Sequence, residues 1–149
     1  MLSTVLAILG TLAGSGLAYV LQQRAARAER AETRAVGRSH DRLAAVTALV
    51  SALADHRRAM WVREDLRLSG AGHDTYSAAR ADSHVTRAAI TGPLTRVVIL
   101  APPVALLAKE AAEATYALRG AADGVTLASL RTAAIAAEER LITATTAVI

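Results

Sequence analysis

The N-terminal end of the chain is an uninterrupted run of uncharged residues. Positions 1–23 carry no charged side chain and are nearly all apolar or small. A helix of about 20 such residues spans about 30 Å, the thickness of the hydrocarbon core of a bilayer. The run therefore predicts a transmembrane helix over residues 1–23. A cleaved signal peptide is the alternative, but it requires basic residues ahead of its apolar region, and none are present here.

The residues that follow this run are strongly basic. Between residues 24 and 42, six arginines accompany three acidic residues, a net charge of +3. The positive-inside rule places such a flank in the cytoplasm. We therefore expect a single-pass protein of the cell membrane, with its N-terminus outside and residues 24–149 in the cytoplasm. The arginines can also contact phosphates of anionic lipids or, non-specifically, of nucleic acid, and their spacing does not separate these ligands. The candidate phosphate contacts are Arg24, Arg27, Arg30, Arg34 and Arg38.

Small residues recur on one face of the predicted span. They lie three or four positions apart, and two of them form a GxxxG motif, which lets two helix backbones approach closely in lipid. We expect this face to support a homo-oligomer, and a chance match in a segment rich in small residues is the alternative. The face consists of Ala7, Gly10, Gly14 and Ala18.

Beyond the basic flank, apolar residues at 3-and-4 spacing predict one amphipathic helix that continues to about Leu68. The stretch Ser69-Gly70-Ala71-Gly72 then ends it. We expect Asp74 or Thr75 to cap the next helix, so that the two helices form a hairpin. The apolar positions are Leu43, Val46, Val50, Leu53, Met60 and Trp61.

The second helical segment, residues 75–118, contains Gly92-Pro93 and Pro102-Pro103. Proline removes a backbone donor, so we expect a kink or a break at both places. The run Val97–Leu100 lies between them and would suit a buried strand, but the chain offers no partner strand. We interpret the run as buried helix, and it is too short for a second membrane crossing.

The last segment opens with Asp123-Gly124, which is typical of a turn or helix cap. Its apolar residues then repeat at heptad-like spacing, with charged residues expected on the opposite face. Together the three segments predict an all-α fold: an antiparallel three-helix, coiled-coil-like bundle over residues 43–149. A basic juxtamembrane helix, residues 24–42, joins it to the transmembrane helix. The apolar positions are Leu127, Leu130, Ala134, Ala137, Leu141 and Val148, and the charged ones are Arg131, Glu138, Glu139 and Arg140.

Composition narrows the range of functions. About a quarter of the residues are alanine, and the chain has no Phe and no Cys, which predicts a thin core and excludes disulfide scaffolds and thiolate metal sites. The common phosphate-loop, dinucleotide, zinc and acyl-transfer motifs are absent from the sequence. No two of its four histidines are spaced as a helical metal site requires. We therefore expect no enzymatic activity, no cofactor and no metal site.

The densest polar stretch, residues 55–67, surrounds the single tryptophan. If the hairpin folds about Ala71, residue n faces residue 142 minus n. This rule pairs Asp55 with Arg87, Arg58 with His84 and Asp65 with Ser77. Such an interhelical clasp would set the register of the helices more than their stability. The alternatives are a solvated helix face and an exposed partner-binding surface, with Arg57 over the indole ring. The candidate residues are Asp55, Arg57, Arg58, Trp61, Asp65, His84 and Arg87.

Three stretches resemble the KilB family, small membrane proteins of actinomycete conjugative plasmids and integrative elements. They are LQQRAARAERAETR after the uncharged run, RLAAVTALVSALADHRRAMWVREDLRLSG, and ATYALRG. The resemblance covers most of the chain, and none of its segments is a catalytic motif. It implies a membrane-associated role in intercellular plasmid transfer or spread, in company with an ATP-driven DNA translocase, and toxicity to the host when unregulated.

The span, the bundle and the resemblance together favour a non-enzymatic, membrane-anchored helical adaptor that assists transfer or spread of plasmid DNA by binding other membrane proteins. Three alternatives stay open. The small-residue span suits a membrane-permeabilising toxin or a holin-like protein, and the basic flank suits a DNA-binding protein, although its interleaved acidic residues weaken the positive field. The third is a structural membrane protein of an unrelated process.

Overall fold

The computed structural model describes residues 2–147, with side chains described over residues 22–147 except at Ala25 and Ala28. All regular structure in this part of the chain is helical, which confirms the predicted all-α class. The helices are α1 (Leu2–Leu68), α2 (His73–Leu100), a short 3-10 helix (Pro102–Val104), α3 (Ala105–Tyr116) and α4 (Gly124–Thr146). Three predictions rest on residues that lie wholly or mostly outside this description: the transmembrane span over residues 1–23, the self-association face of Ala7, Gly10, Gly14 and Ala18, and the apolar position Val148.

The chain divides into two compact units, Met1–Arg38 and Ser39–Ile149. In the first unit, all five arginines proposed to contact phosphates are exposed. One of them, Arg27, donates a hydrogen bond from Nη2 to Gln23 Oε1 at 3.2 Å. Among the residues whose side chains are described, no single helix combines the length and apolar composition of a membrane span. The helices His73–Leu100 and Pro102–Tyr116 reach that composition only as a pair, bent by 119°.

The hairpin turn between α1 and α2 forms where the sequence predicts it. Helix α1 ends at Leu68, and Gly70 adopts a φ of 70°, a left-handed conformation that suits glycine. The predicted cap at Asp74 or Thr75 is wrong, because α2 already begins at His73, and no side chain caps its first turn.

The two proline sites of the second segment behave differently. Helix α2 continues through Pro93, so the chain is not broken there and a kink at this position stays a prediction, whereas the break at Pro102-Pro103 is confirmed. At Pro93 the lost bond would have reached the carbonyl of Ala89, an exposed residue whose carbonyl water can satisfy. The second unit therefore contains part of α1, three further α-helices and the short 3-10 helix, where three helices were predicted.

The run Val97–Leu100 is helical, as predicted, but it is not buried throughout. Val97 is fully buried, whereas Ile99 is 68% exposed. The reason is geometric: consecutive residues of a helix turn through about 100°, so four in a row cannot all face one core. In α1, Leu43 is the first residue of the predicted apolar series, and it is also half-exposed.

The core of the second unit is built from small and medium-sized side chains. Helices α3 and α4 bury alanines, among them Ala108, Ala111, Ala134 and Ala137. Leucine and other aliphatic residues of α1, α2 and α4 complete the main cluster. A second cluster includes Met60, Leu118, Ala121, Leu127 and Ala134. Because alanine has so small a side chain, helices that meet through it can approach closely while burying little apolar area.

Helix α4 begins with the cap that the sequence predicts. The Asp123 carboxylate accepts a hydrogen bond from the Thr126 backbone N–H at 2.7 Å, and this bond lowers the pKa of Asp123. Gly120, in the preceding loop, has a φ of 77°. The loop and cap together direct α4 back along α3.

Removal of this cap should destabilise the protein measurably. We expect Asp123→Ala to lower the free energy of unfolding, since the Thr126 N–H loses its acceptor. Asp74→Ala is the matched control, because Asp74 makes no capping bond, and we expect it to change stability by a few tenths of a kcal/mol at most. Urea unfolding of the full chain in a neutral detergent measures both. Equal losses in the two variants would contradict the assigned cap.

Candidate partner-binding surface

Trp61 lies half-buried on α1 and faces α4. One side of the indole packs against the cluster that contains Met60 and Leu127. The guanidinium carbon of Arg131, on α4, lies 5.1 Å from the centre of the indole ring, within range of a cation–π interaction. The prediction that Arg57 would cover the ring is therefore wrong, because Arg57 has a different partner.

That partner is Glu138 on α4, to which Arg57 Nη1 donates a hydrogen bond. The two side chains are only 17% and 7% exposed. Burial raises the pKa of Glu138, while the bond to Arg57 opposes this change. The expectation that Glu138 lies on the outer face is wrong: Ala134 and Ala137 are buried on the same side of the helix, and Arg57 supplies the partner that a buried carboxylate requires.

The side chains around Trp61 form an open groove of 230 Å³, lined by Ala54, Arg57, Arg58, Trp61 and Arg131. We call this the Trp61 groove. Arg58 pairs with Asp55 at 3.3 Å along the same helix, and the two side chains are 74% and 60% exposed. An ion pair so exposed contributes little to stability, and Arg58 remains available for other contacts. The groove therefore presents one indole and three guanidinium groups on one surface.

The predicted pairs of the interhelical clasp do not form, although the observed register of the hairpin is close to the predicted one. His56 Nδ1 lies 3.0 Å from Thr86 Oγ1, and these residue numbers satisfy the 142-minus-n rule. Asp55, the next residue round the helix, pairs with Arg58 and not with Arg87. The Arg87 guanidinium instead lies 4.1 Å from the centre of the Tyr116 ring.

The other residues of the predicted clasp also lack the partners expected for them. His84 is exposed and makes no described contact with Arg58, although it lines a separate cavity described below. Asp65 is exposed, and none of its described contacts reaches Ser77. The predicted pairing is close to the observed alignment of the two helices along their length, but it is wrong about which side chains face each other. The pairs that meet are therefore neighbours of those predicted.

A group of buried polar residues that the sequence analysis did not single out links α1 to its neighbours. Glu64 is 1% exposed and accepts a hydrogen bond from Arg67 Nε at 2.6 Å. Arg63 Nη1 donates to Ser83 Oγ on α2 at 3.2 Å, and Arg67 Nη2 donates to the carbonyl of Ala121. These residues continue the 3-and-4 spacing of the buried apolar stripe, and that spacing was the signal that could have placed them inside.

On another face of α1, His56 and Arg63 line a cavity of 170 Å³, which also involves α2 and the chain around α3. The His56 ring meets the Tyr116 ring edge-on, with centroids 5.7 Å apart. Burial, assisted by Arg87 and Arg63, lowers the pKa of His56 to about 4. In the described part of the chain, no three His, Asp or Glu side chains are grouped as a metal site; the absence of a cofactor stays a prediction.

The buried His56 predicts a pH dependence of stability. The unfolded chain protonates this residue near pH 6.5, whereas the folded chain resists protonation until about pH 4. Stability should therefore fall as the pH drops from 6.5 towards 4, by about 3 kcal/mol at most. His56→Gln should flatten this slope, and His73→Gln, at an exposed site, should not. The raised pKa of Glu138 changes stability with pH in the opposite direction, but Glu138 is present in every variant, so its contribution cancels when the slopes are compared. Unchanged slopes in urea titrations of His56→Gln would contradict the assignment.

Comparison with known proteins identifies the family. A family model described as KilB plasmid transfer protein matches residues 43–149. The chain is also 54% identical over 144 residues to Protein KilB of Streptomyces lividans, an alignment that covers 97% of this chain and 95% of that protein. No solved structure matches significantly. The resemblance found in the sequence is confirmed, and the chain belongs to the KilB family of plasmid transfer proteins, which gives it a role in plasmid transfer or spread.

Proposed function

We propose that this protein is a non-enzymatic, membrane-anchored helical adaptor, which assists plasmid transfer by binding partner proteins through the Trp61 groove. The family supplies the process. The observation that carries the adaptor role is the half-buried Trp61, stacked with Arg131 beside a groove that also contains Arg57 and Arg58.

The groove has the composition and the rigidity of a protein-binding surface. Tryptophan and arginine dominate binding hot spots, because each provides a large contact area or several hydrogen bonds at one position. Arg57 is held by Glu138, and Trp61 is packed on one side against the core. Ordering such side chains before binding reduces the entropy lost in the complex.

The charge of the groove indicates the chemistry of its partner. Arg58 is largely exposed, and its weak pair with Asp55 leaves the guanidinium free to exchange partners. A protein surface that combines acidic side chains with an apolar patch would match the guanidinium groups and the exposed part of the indole. Among the proteins implied by the family resemblance, a membrane DNA translocase with such a patch is the partner we propose.

The proposed anchor is the uncharged run of residues 1–23, oriented by the arginines that follow it. The C-terminal unit would then lie in the cytoplasm, and the face formed by Ala7, Gly10, Gly14 and Ala18 would support a homo-oligomer within the membrane. The exposed arginines between residues 24 and 38 are available to lipid phosphates and, at most non-specifically, to nucleic acid.

A membrane-permeabilising protein is the second candidate, and the GxxxG-containing run favours it. This alternative assigns activity to the N-terminal run alone. The adaptor proposal, in contrast, makes transfer depend on the Trp61 groove, so variants of the groove separate the two.

The orientation of the anchor can be tested with charge variants. A reporter that works only in the cytoplasm should be active when fused after Ile149. Arg24→Glu, Arg27→Glu and Arg30→Glu combined should reduce its activity, because basic residues near a span set its orientation. The control replaces Arg80, Arg96 and Arg140 by Glu, the same change in charge at exposed sites far along the chain. Recovery of residues 24–149 in the soluble fraction of unmodified cells would refute the anchor.

The partner surface can be tested with two substitutions. We expect Trp61→Ala to weaken partner capture by about 2 kcal/mol. Because the indole is only half-buried, its loss should cost less stability than the 3 to 5 kcal/mol, roughly, of a fully buried aromatic. Arg131→Gln should weaken capture while leaving stability nearly unchanged. Crosslinked pulldown of the full-length protein from its membrane measures capture, and thermal unfolding measures stability.

Val62→Ala is the matched control for this test, since Val62 follows Trp61 directly and is 46% exposed outside the groove. It should leave capture unchanged. A large loss of stability in Trp61→Ala, with unchanged capture per folded molecule, would end the proposal of a binding surface.

A further inference from the structure

We propose that the cavity lined by His56, Arg63, Arg87 and Arg119 binds a single phosphate group. This cavity, the arginine cavity, lies on a different face of α1 from the Trp61 groove and shares no lining residue with it. The proposal stands independently of the adaptor function.

The first argument is an excess of positive charge. Three guanidinium groups line the arginine cavity. Within the described part of the chain, Arg87 and Arg119 have no carboxylate oxygen within 4.0 Å, and Arg63 Nε lies 3.6 Å from Glu64, which Arg67 also engages. Cations gathered in a partly enclosed space concentrate anions, because the surrounding protein screens them less than bulk water does.

The second argument comes from buried polar atoms that make no hydrogen bond within the described structure. His56 Nε2 and Arg63 Nε have no hydrogen-bond partner in the described structure, although their side chains are 1% and 9% exposed. Buried polar atoms are normally hydrogen-bonded. The Nε–H of Arg63 has an ion-pair contact with Glu64 at 3.6 Å but makes no hydrogen bond, so it is a donor for which an oxyanion can supply the acceptor.

His56 points to phosphate in particular among oxyanions. The Thr86 hydroxyl donates to a backbone carbonyl of the preceding turn, 3.1 Å away at Asp82. Its oxygen is then an acceptor for the Nδ1–H of His56 at 3.0 Å. We assign the Nδ1–H tautomer on this basis, so the neutral ring carries its lone pair on Nε2, which can accept a hydrogen bond from an O–H donor. A singly protonated phosphate offers such an O–H, and a sulfate ion at neutral pH does not.

The size of the arginine cavity limits the ligand. A volume of 170 Å³ is smaller than the 300 Å³ or more, roughly, of sites that enclose a drug-sized molecule. One phosphate group fits, and any organic part attached to it must extend into solvent. Arg87 is already held in place by its contact with the Tyr116 ring, 4.1 Å from the ring centre, so the site is partly ordered before binding.

Calorimetric titration of inorganic phosphate into the full chain, in a neutral detergent at pH 7 and constant ionic strength, tests the proposal. We expect saturable binding that is at least tenfold tighter than the binding of sulfate. Arg87→Gln combined with Arg119→Gln should weaken phosphate binding at least tenfold. The matched control, Arg96→Gln with Arg140→Gln, removes the same charge at exposed positions outside the cavity and should change affinity less than twofold.

Two further ligands identify the source of the phosphate group: a short-chain soluble phosphatidic acid and a nucleoside 5′-monophosphate. Tighter binding of one of them than of inorganic phosphate, lost again in the Arg87/Arg119 variant, assigns the site to a lipid headgroup or to a nucleotide. The proposal is overturned if no saturable binding occurs, if sulfate binds as tightly as phosphate, or if the control variant loses as much affinity as the cavity variant.

Discussion

The close approach of alanine-rich helices is the constraint on which the rest of the structure depends. Ala108 and Ala111 of α3 and Ala134 and Ala137 of α4 are fully or almost fully buried. Small side chains allow close contact but bury little apolar area, so the hydrophobic effect alone specifies the alignment of these helices weakly. Polar side chains with defined partners supply the missing specificity, a role attested for buried polar groups in other helical assemblies.

The α1 side chains that make these polar contacts all lie in one short stretch of the helix. Arg57 reaches Glu138 on α4, Arg63 reaches Ser83 on α2, and Arg67 reaches the carbonyl of Ala121 in the loop before α4. Because successive residues of a helix point in different directions, the same stretch also presents Trp61 to the groove and His56 to the arginine cavity. The residues that fix the bundle therefore also fix both candidate sites.

The sequence was sufficient to predict the structural features that depend on residues close together in the chain. The end of α1 at Leu68, the break at Pro102-Pro103 and the Asp123 cap all follow from residues a few positions apart. It was insufficient where a partner lies far along the chain. Arg57 and Glu138 are 81 positions apart, and a pattern that assigns apolar residues to the core and charged residues to the surface puts both outside. The rotation of the helices about their axes could not be predicted for the same reason, because polar residues occupy part of the buried stripe.

The position of the single tryptophan connects stability to function. An alanine-rich bundle without phenylalanine gains most apolar burial by enclosing its largest side chain completely. Trp61 instead packs one side of its ring against the core and meets Arg131 at the edge of an open groove. That placement leaves part of the ring accessible, as the proposed binding surface requires. In a family whose process is plasmid transfer, the groove is therefore the place to seek contacts with other transfer proteins.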